Sequence, residues 1–243
     1  MTDELLGRKS SLLPPVTALL LAAAAASNNV AFGYDVGVIS GSLHDMAMSL
    51  GLSTFEQELS TSGLNFVSGF GALLVSGNLL DTLGRRKTLL LSSLLLLLGS
   101  AIVTLAPSLP LLLLGRSLQG LGSGCSWVAC TVYITEIAPS ESRGTLVAIA
   151  DIAINVGILL GFAIDRVVNL SMAQSDPGIR WRVAMALSAL VPLFFCGVCY
   201  PLLPESPCWL LRQGKDDAAA ASVSRRDPDR RPSAEQRSDL ALQ

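Results

Sequence analysis

Three ionisable residues lie where the surrounding sequence is apolar. They are Asp35, within Phe32-Gly33-Tyr34-Asp35-Val36-Gly37-Val38-Ile39-Ser40-Gly41, then Arg116 and Asp151. A charge at the centre of a bilayer costs roughly 2.5–3.5 kcal/mol on insertion scales, so such residues usually face a cavity and pair. An acid and a base of this kind can do proton chemistry. Desolvation favours the neutral form of a carboxyl and a nearby guanidinium favours the charged form, so movement of the partner loads or releases a proton. The competing reading of Asp35 and Arg116 is an ion pair that only orients two helices. Glycines around Asp35 let neighbouring helices approach closely.

A second constellation is richer in charge. Gly77-Asn78-Leu79-Leu80-Asp81-Thr82-Leu83-Gly84-Arg85-Arg86-Lys87 sets an acid before a tight turn and three cations after it. Glu136 stands in Tyr133-Ile134-Thr135-Glu136-Ile137-Ala138-Pro139, Arg143-Gly144 follows after a short loop that brings Glu136 and Arg143 close, and Glu205 comes later at the same depth. These charges could form a network that closes the cytoplasmic mouth in one state and breaks in the other. Surface pairs worth about 1 kcal/mol or less each suit such a gate. Read without function, they are cationic anchors beside solvated acids.

The elements that position these residues follow from composition. Of 243 residues, 51% are hydrophobic and 15% charged, with mean hydropathy +0.54. A soluble domain is about 25% charged, so the chain reads as a membrane protein, and a basic nucleic-acid binder, a disordered chain and a disulfide scaffold are excluded. A spanning helix takes about 20 apolar residues. Apolar stretches at 15–39, 60–80, 88–106, 111–134, 145–168 and 183–203 predict six spans. Arg8 and Lys9 before small residues at 22–27 imitate a signal peptide, but the apolar pattern continues to 39.

Orientation follows from the loops. Arg8, Lys9, Arg85, Arg86, Lys87, Arg143, Arg212 and Lys215 share one side, while the outer loop expected at 42–59 has no Lys or Arg and contains Asp45, Glu56 and Glu58. Both termini are therefore expected in the cytoplasm. Arg166, Arg180 and Arg182 run against this bias, and an Asn169-Leu170-Ser171 sequon agrees weakly with it. The five cysteines read as packing residues, and the lone His44 as solvated. No nucleophile, base and orienter come together and no metal-ligand cluster is visible, so no enzyme activity, cofactor or metal is expected.

The residues Gly77 to Arg86, Gly115-Arg116-Ser117-Leu118-Gln119-Gly120-Leu121-Gly122-Ser123-Gly124, Tyr133 to Gly144, Trp181-Arg182 and Pro204-Glu205-Ser206-Pro207-Cys208-Trp209-Leu210 carry a resemblance. In order and spacing, from about Phe32 to Leu210, the chain resembles the N-terminal half of a sugar porter of the major facilitator superfamily. That group includes glucose facilitators and proton-coupled hexose, pentose and inositol symporters. The resemblance implies an all-α membrane protein in which six transmembrane helices form two inverted three-helix repeats. It implies that Asp35 carries the proton and pairs with Arg116, that Phe32 and Asp151 contact substrate, and that Asp81, Arg85, Arg86, Glu136, Arg143 and Glu205 form the cytoplasmic gate. Facilitators commonly have a non-acidic residue where Asp35 stands, which tips the reading toward symport. Asp151 occupies a position where many members have a sugar-binding glutamine, which puts the usual hexose selectivity in question, and Cys208 replaces a gate arginine.

After Leu211 the chain turns Ala-rich and then charged, which reads as a disordered cytoplasmic tail at 212–243. The organisation expected is thus a cytoplasmic N-terminus at 1–14, a six-helix half-transporter at 15–211 and the tail. The function expected is alternating-access transport of a monosaccharide or polyol with a proton, in the plasma membrane or else a vacuolar or other organelle membrane, by a chain that is a fragment or works with a missing C-terminal half or a second copy. A facilitative uniporter and a non-transporting sensor or interaction protein are the alternatives. The partners expected are substrate, proton and lipid bilayer, without nucleic acid.

Overall fold

A computed structural model describes residues 16–139 and 142–214. Arg8, Lys9, Lys215, the N-terminus expected at 1–14 and all but the first three residues of the expected tail lie outside the described residues. Helix α1 (Val16–Leu50) is followed by α2 (Thr54–Leu74), which runs on through a π turn (Val75–Leu79) and a last α turn (Leu80–Leu83). Then come α3 (Arg85–Leu105), α4 (Leu109–Ile137) and α5 (Arg143–Ser171). Helix α6 (Pro177–Ala186) continues through a 3-10 turn (Leu187–Ala189) as far as Leu202, and α7 (Pro207–Arg212) closes the described chain.

Local chemistry sets the boundaries. Gly51, at φ +66, ends α1, and Ser53 and Glu56 form a reciprocal capping box that opens α2. Pro177 and Pro207 occupy first turns, where a missing N–H costs nothing, with Asp176 and Ser206 accepting from the Gly178 and Trp209 amides. Pro192 cannot donate to Ser188 four residues back, which accounts for the tighter turn at Leu187–Ala189.

Val16–Leu50, Arg85–Leu105, Arg143–Ser171 and Pro177–Leu202 are long and apolar enough to cross a membrane. The second and fourth expected spans form as helices but are less apolar. Helix α2 carries Glu56, Gln57, Glu58 and Asn65, and α4 carries Gly115, Arg116, Gln119, Gly120, Gly122 and Gly124, most of them buried. Those α4 residues face other helices: α4 packs on α2 and α3, as α1 packs on α5 and α6.

Two of these crossings need glycine. A Cβ on Gly33 or Gly157 would run into the facing backbone of α5 or α1, and one on Gly124 into Ser68 of α2. Buried amides and hydroxyls add polar links. Asn28 Nδ2 donates to Ser92 Oγ and Ser126 Oγ, both at 3.0 Å, and Ser126 donates to Asn29 Oδ1 at 2.9 Å, tying α1, α3 and α4.

The loop expected at 42–59 is mostly helix. Helix α1 runs on to Leu50 and only residues 51–53 separate it from α2. Ser42, Asp45 and Met46 in this stretch are buried, and the polarity of Ser42 and Asp45 serves contacts between helices and not a solvated loop.

Candidate functional site

Asp35 in the middle of α1 and Arg116 two turns into α4 are 3% and 2% exposed. They line one cavity of about 150 Å³ with Val36, Ile39, Ser40, Thr61, Leu64 and Asn65, so α1, α2 and α4 each supply a wall. The Arg116 guanidinium is the cation acting on Asp35, and Ser188 of α6 stands beside it. No ion pair within 4.0 Å joins them among the described residues. Asp35 Oδ1 and Arg116 Nε have no hydrogen-bond partner, while Arg116 Nη1 donates to Gln119 Oε1 at 3.2 Å. Each unmade bond at a buried polar atom costs about 1–3 kcal/mol, more for a charged group. Both groups thus keep unused hydrogen-bonding capacity beside the cavity.

The structure does not bring the two expected substrate residues into this cavity. Phe32 is half-buried on α1, and Asp151 lies on the exposed face of α5 with Ile152 and Asn155.

The charged cluster assembles at the other end of the bundle. Arg85 Nη2 and Nε bind the Glu136 carboxylate at 2.8 and 3.0 Å, joining the start of α3 to the end of α4, and Arg85 Nη1 reaches Leu80 O and Asp81 Oδ1. Glu205 accepts from the Arg86 and Ser206 amides at 3.0 and 3.1 Å. The Arg86 guanidinium packs over the Tyr200 ring at 4.3 Å, and Trp209 Nε1 donates to Asp81 O at 2.9 Å. Gly84, at φ +87, makes the turn possible, since a Cβ there would press on the Glu205 carboxylate and the Trp209 ring. The strength of these pairs departs from expectation. Asp81 is 63% exposed and weakly held, but Arg85 and Glu136 are 4% and 16% exposed and bidentate, which makes theirs a largely buried pair. Arg143 is exposed and makes no ion pair with a described residue, so Glu136 pairs with Arg85 instead.

Comparison with known proteins places this geometry. The family model for "Sugar (and other) transporter" matches residues 21–240. The chain belongs to this sugar transporter family. Among relatives, Probable polyol transporter 4 of Arabidopsis thaliana is 38% identical over 192 residues, covering 79% of this chain and 35% of the relative. Solute carrier family 2, facilitated glucose transporter member 10, of Mus musculus is 40% identical over 169 residues, covering 68% and 31%. The chain thus spans about a third of the length of these relatives. The major facilitator proton:xylose symporter XylE bound to 6-bromo-6-deoxy-D-glucose superposes with a TM-score of 0.75 at 23% identity, covering 87% of this chain and 50% of that one. An inward open form of XylE from E. coli also gives 0.75, at 22% identity, covering 91% and 54%. The fold is therefore an all-helical major facilitator fold. Family and fold are those of transporters, not of enzymes.

On the face opposite the Arg85–Glu136 cluster, this sugar-transporter chain has a second network that sequence reasoning missed. Arg180 of α6 binds Asp45 of α1 at 2.8 Å, and Trp181 Nε1 donates to Ser49 Oγ at 2.7 Å. Arg182 stacks on the Trp181 ring and donates to Gly178 O and Ala106 O. Two of the three cations that run against the charge bias are thus structural members of this end. Ser42 donates to Asp165 Oδ1, whose other oxygen accepts from Asn169 Nδ2 at 3.0 Å. Asn169 therefore lies in the last helical turn of α5 with its amide engaged, not in the loop a sequon suggests. The available signal was spacing: Ser42, Asp45 and Ser49 recur at helical intervals past the apolar run of α1.

Proposed function

We propose that this chain is half of an alternating-access transporter that moves a polyol or monosaccharide together with a proton. The observation that carries the reading is the pair of buried, incompletely partnered ionisable groups, Asp35 and Arg116, facing one cavity. Asp35 takes up the proton from outside, its attraction to Arg116 weakens, and the helices rock to open the opposite mouth. The Arg85–Glu136 pair, with Asp81, Arg86 and Glu205, closes that mouth in the state described here, and Arg143 joins them in another.

Six spans in two inverted three-helix repeats fit the packing, because α1 against α5 and α6 mirrors α4 against α2 and α3. Phe32 and Asp151 then contact substrate from this chain's side of a larger cavity, whose second wall is supplied by a C-terminal half or a second copy. The exposure of Asp151 supports that reading. Polyols lead the substrate list because several Arabidopsis thaliana relatives are described as polyol transporters. The loop charges favour an orientation with both termini cytoplasmic, and the plasma membrane is the setting proposed.

The mouse facilitated glucose transporter relative favours a second reading, uniport. Adding polyol or sugar to weakly buffered cells that express the protein separates the two. Substrate-dependent alkalinisation of the medium is expected for symport, and saturable uptake without it would establish uniport. Absence of saturable uptake, with or without a co-expressed second half, would contradict transport altogether.

A further inference from the structure

We propose that Thr61 and Asn65 on α2 hold in place a short chain of water that relays protons to Asp35. The proposal rests on the reading of Asp35 as the proton carrier. Gln57, Thr61 and Asn65 recur at intervals of four, so they form one stripe along α2. The stripe begins beside the Ser53 cap, where Gln57 Nε2 donates to Leu52 O at 3.1 Å, and ends in the cavity that Thr61 and Asn65 share with Asp35, Ser40 and Arg116. Thr61 lies seven residues into α2, about 10 Å along its axis at 1.5 Å per residue.

The side chains have free capacity where a relay needs it. The Thr61 hydroxyl donates to Gln57 O and Glu58 O, at 3.1 and 3.0 Å, which leaves a lone pair to accept from water. Asn65 is exposed and its amide makes no hydrogen bond to a described residue. At the far end, Asp35 and Arg116 line the same cavity, and Asp35 Oδ1 and Arg116 Nε are buried without a hydrogen-bond partner. At about 30 Å³ per molecule the space holds roughly five waters, and these groups supply the polar partners that such waters require. Val36, Ile39 and Leu64 supply the apolar remainder of the lining, which keeps the chain of water narrow.

The charges around Asp35 are few. Helix α4 contributes Arg116, α6 contributes only the Ser188 hydroxyl, and α2 contributes no ionisable group to the cavity. On α5, Asp165 is held by Ser42 and Asn169. A hydronium at the outer end passes a proton to the next water along the chain. The last transfer forms an O–H bond on Asp35 Oδ1 and leaves neutral water behind, so only the carboxylate changes charge.

Time-resolved infrared spectroscopy on the full chain in lipid nanodiscs tests the relay. The protonated-carboxyl band is followed after rapid acidification and assigned to Asp35 by its loss in Asp35→Asn. Thr61→Val with Asn65→Leu is expected to slow its appearance at least about tenfold, a barrier rise of about 1.4 kcal/mol, and Thr61→Ser is expected to keep the wild-type rate. Asn65 is exposed, so Asn65→Leu alone gives the same reading if the double variant folds poorly. Unchanged rates in Asn65→Leu and the double variant would overturn the relay. No sugar is involved, so a chain that accumulates no substrate leaves this test intact. Absence of the Asp35 band in the wild type would overturn both the relay and the proton-carrier reading.

Discussion

At the level of single residues, the decisive fact is how unequal the charges are. Arg85 is nearly out of water, so removing Glu136 leaves a buried cation with only the exposed Asp81 carboxylate to compensate it. Glu136→Ala should therefore destabilise the described state by roughly 3–5 kcal/mol. Asp81→Ala, at a mostly exposed partner of the same arginine, should cost about 1 kcal/mol or less. Reversible denaturant unfolding in detergent measures both, and equal losses would show that the two acids are held alike. Asp35 and Arg116 were each legible as unusual charges from their position in apolar runs, but their juxtaposition was implied only by the resemblance to sugar porters. The Arg85–Glu136 pairing was legible only as a cluster, because sequence does not say which of Arg85 and Arg143 reaches Glu136 first. Asp45 and Arg180 are 135 residues apart, and nothing local in the sequence joins them.

Among the helices, boundaries and contacts carry testable weight. Glu56 accepts from the Ser53 amide and hydroxyl, and these bonds hold its carboxyl below the ordinary value of 4.5. A group whose value is lowered by folding contributes stability above its unfolded value and loses it as pH falls through the folded one. The first turn of α2 should therefore fray only below about pH 4.5. Amide hydrogen exchange at Glu56 and Gln57 reports this, and Ser53→Ala should remove the protection already at neutral pH, at a cost of about 0.5–2 kcal/mol. Gly157→Leu places a side chain against the α1 backbone at Val30 and Tyr34. It should shift the protein toward unfolded or aggregated forms on size-exclusion chromatography, whereas Gly197→Leu, at a position with open space around it, should not. These helices were legible from apolar runs, but the end of α1 was not. Past Ile39 the residues that keep it helical are polar ones whose partners lie on α5 and α6.

For the molecule as a whole, the same logic explains why apolar length alone picks out Val16–Leu50, Arg85–Leu105, Arg143–Ser171 and Pro177–Leu202. Helices α2 and α4 trade apolarity for the glycines, Arg116 and Asn65 that let them pack closely and line the cavity. The residues that weaken their hydropathy are therefore the ones from which proton coupling is proposed. That coupling has one direct measurement: accumulation of polyol or monosaccharide against its gradient, driven by an inward proton gradient, in cells that express the protein and in Asp35→Asn. Asp35→Asn should abolish uphill accumulation while leaving downhill exchange of labelled substrate measurable. Undiminished pH-driven accumulation in Asp35→Asn would contradict the assignment of Asp35 as the proton carrier.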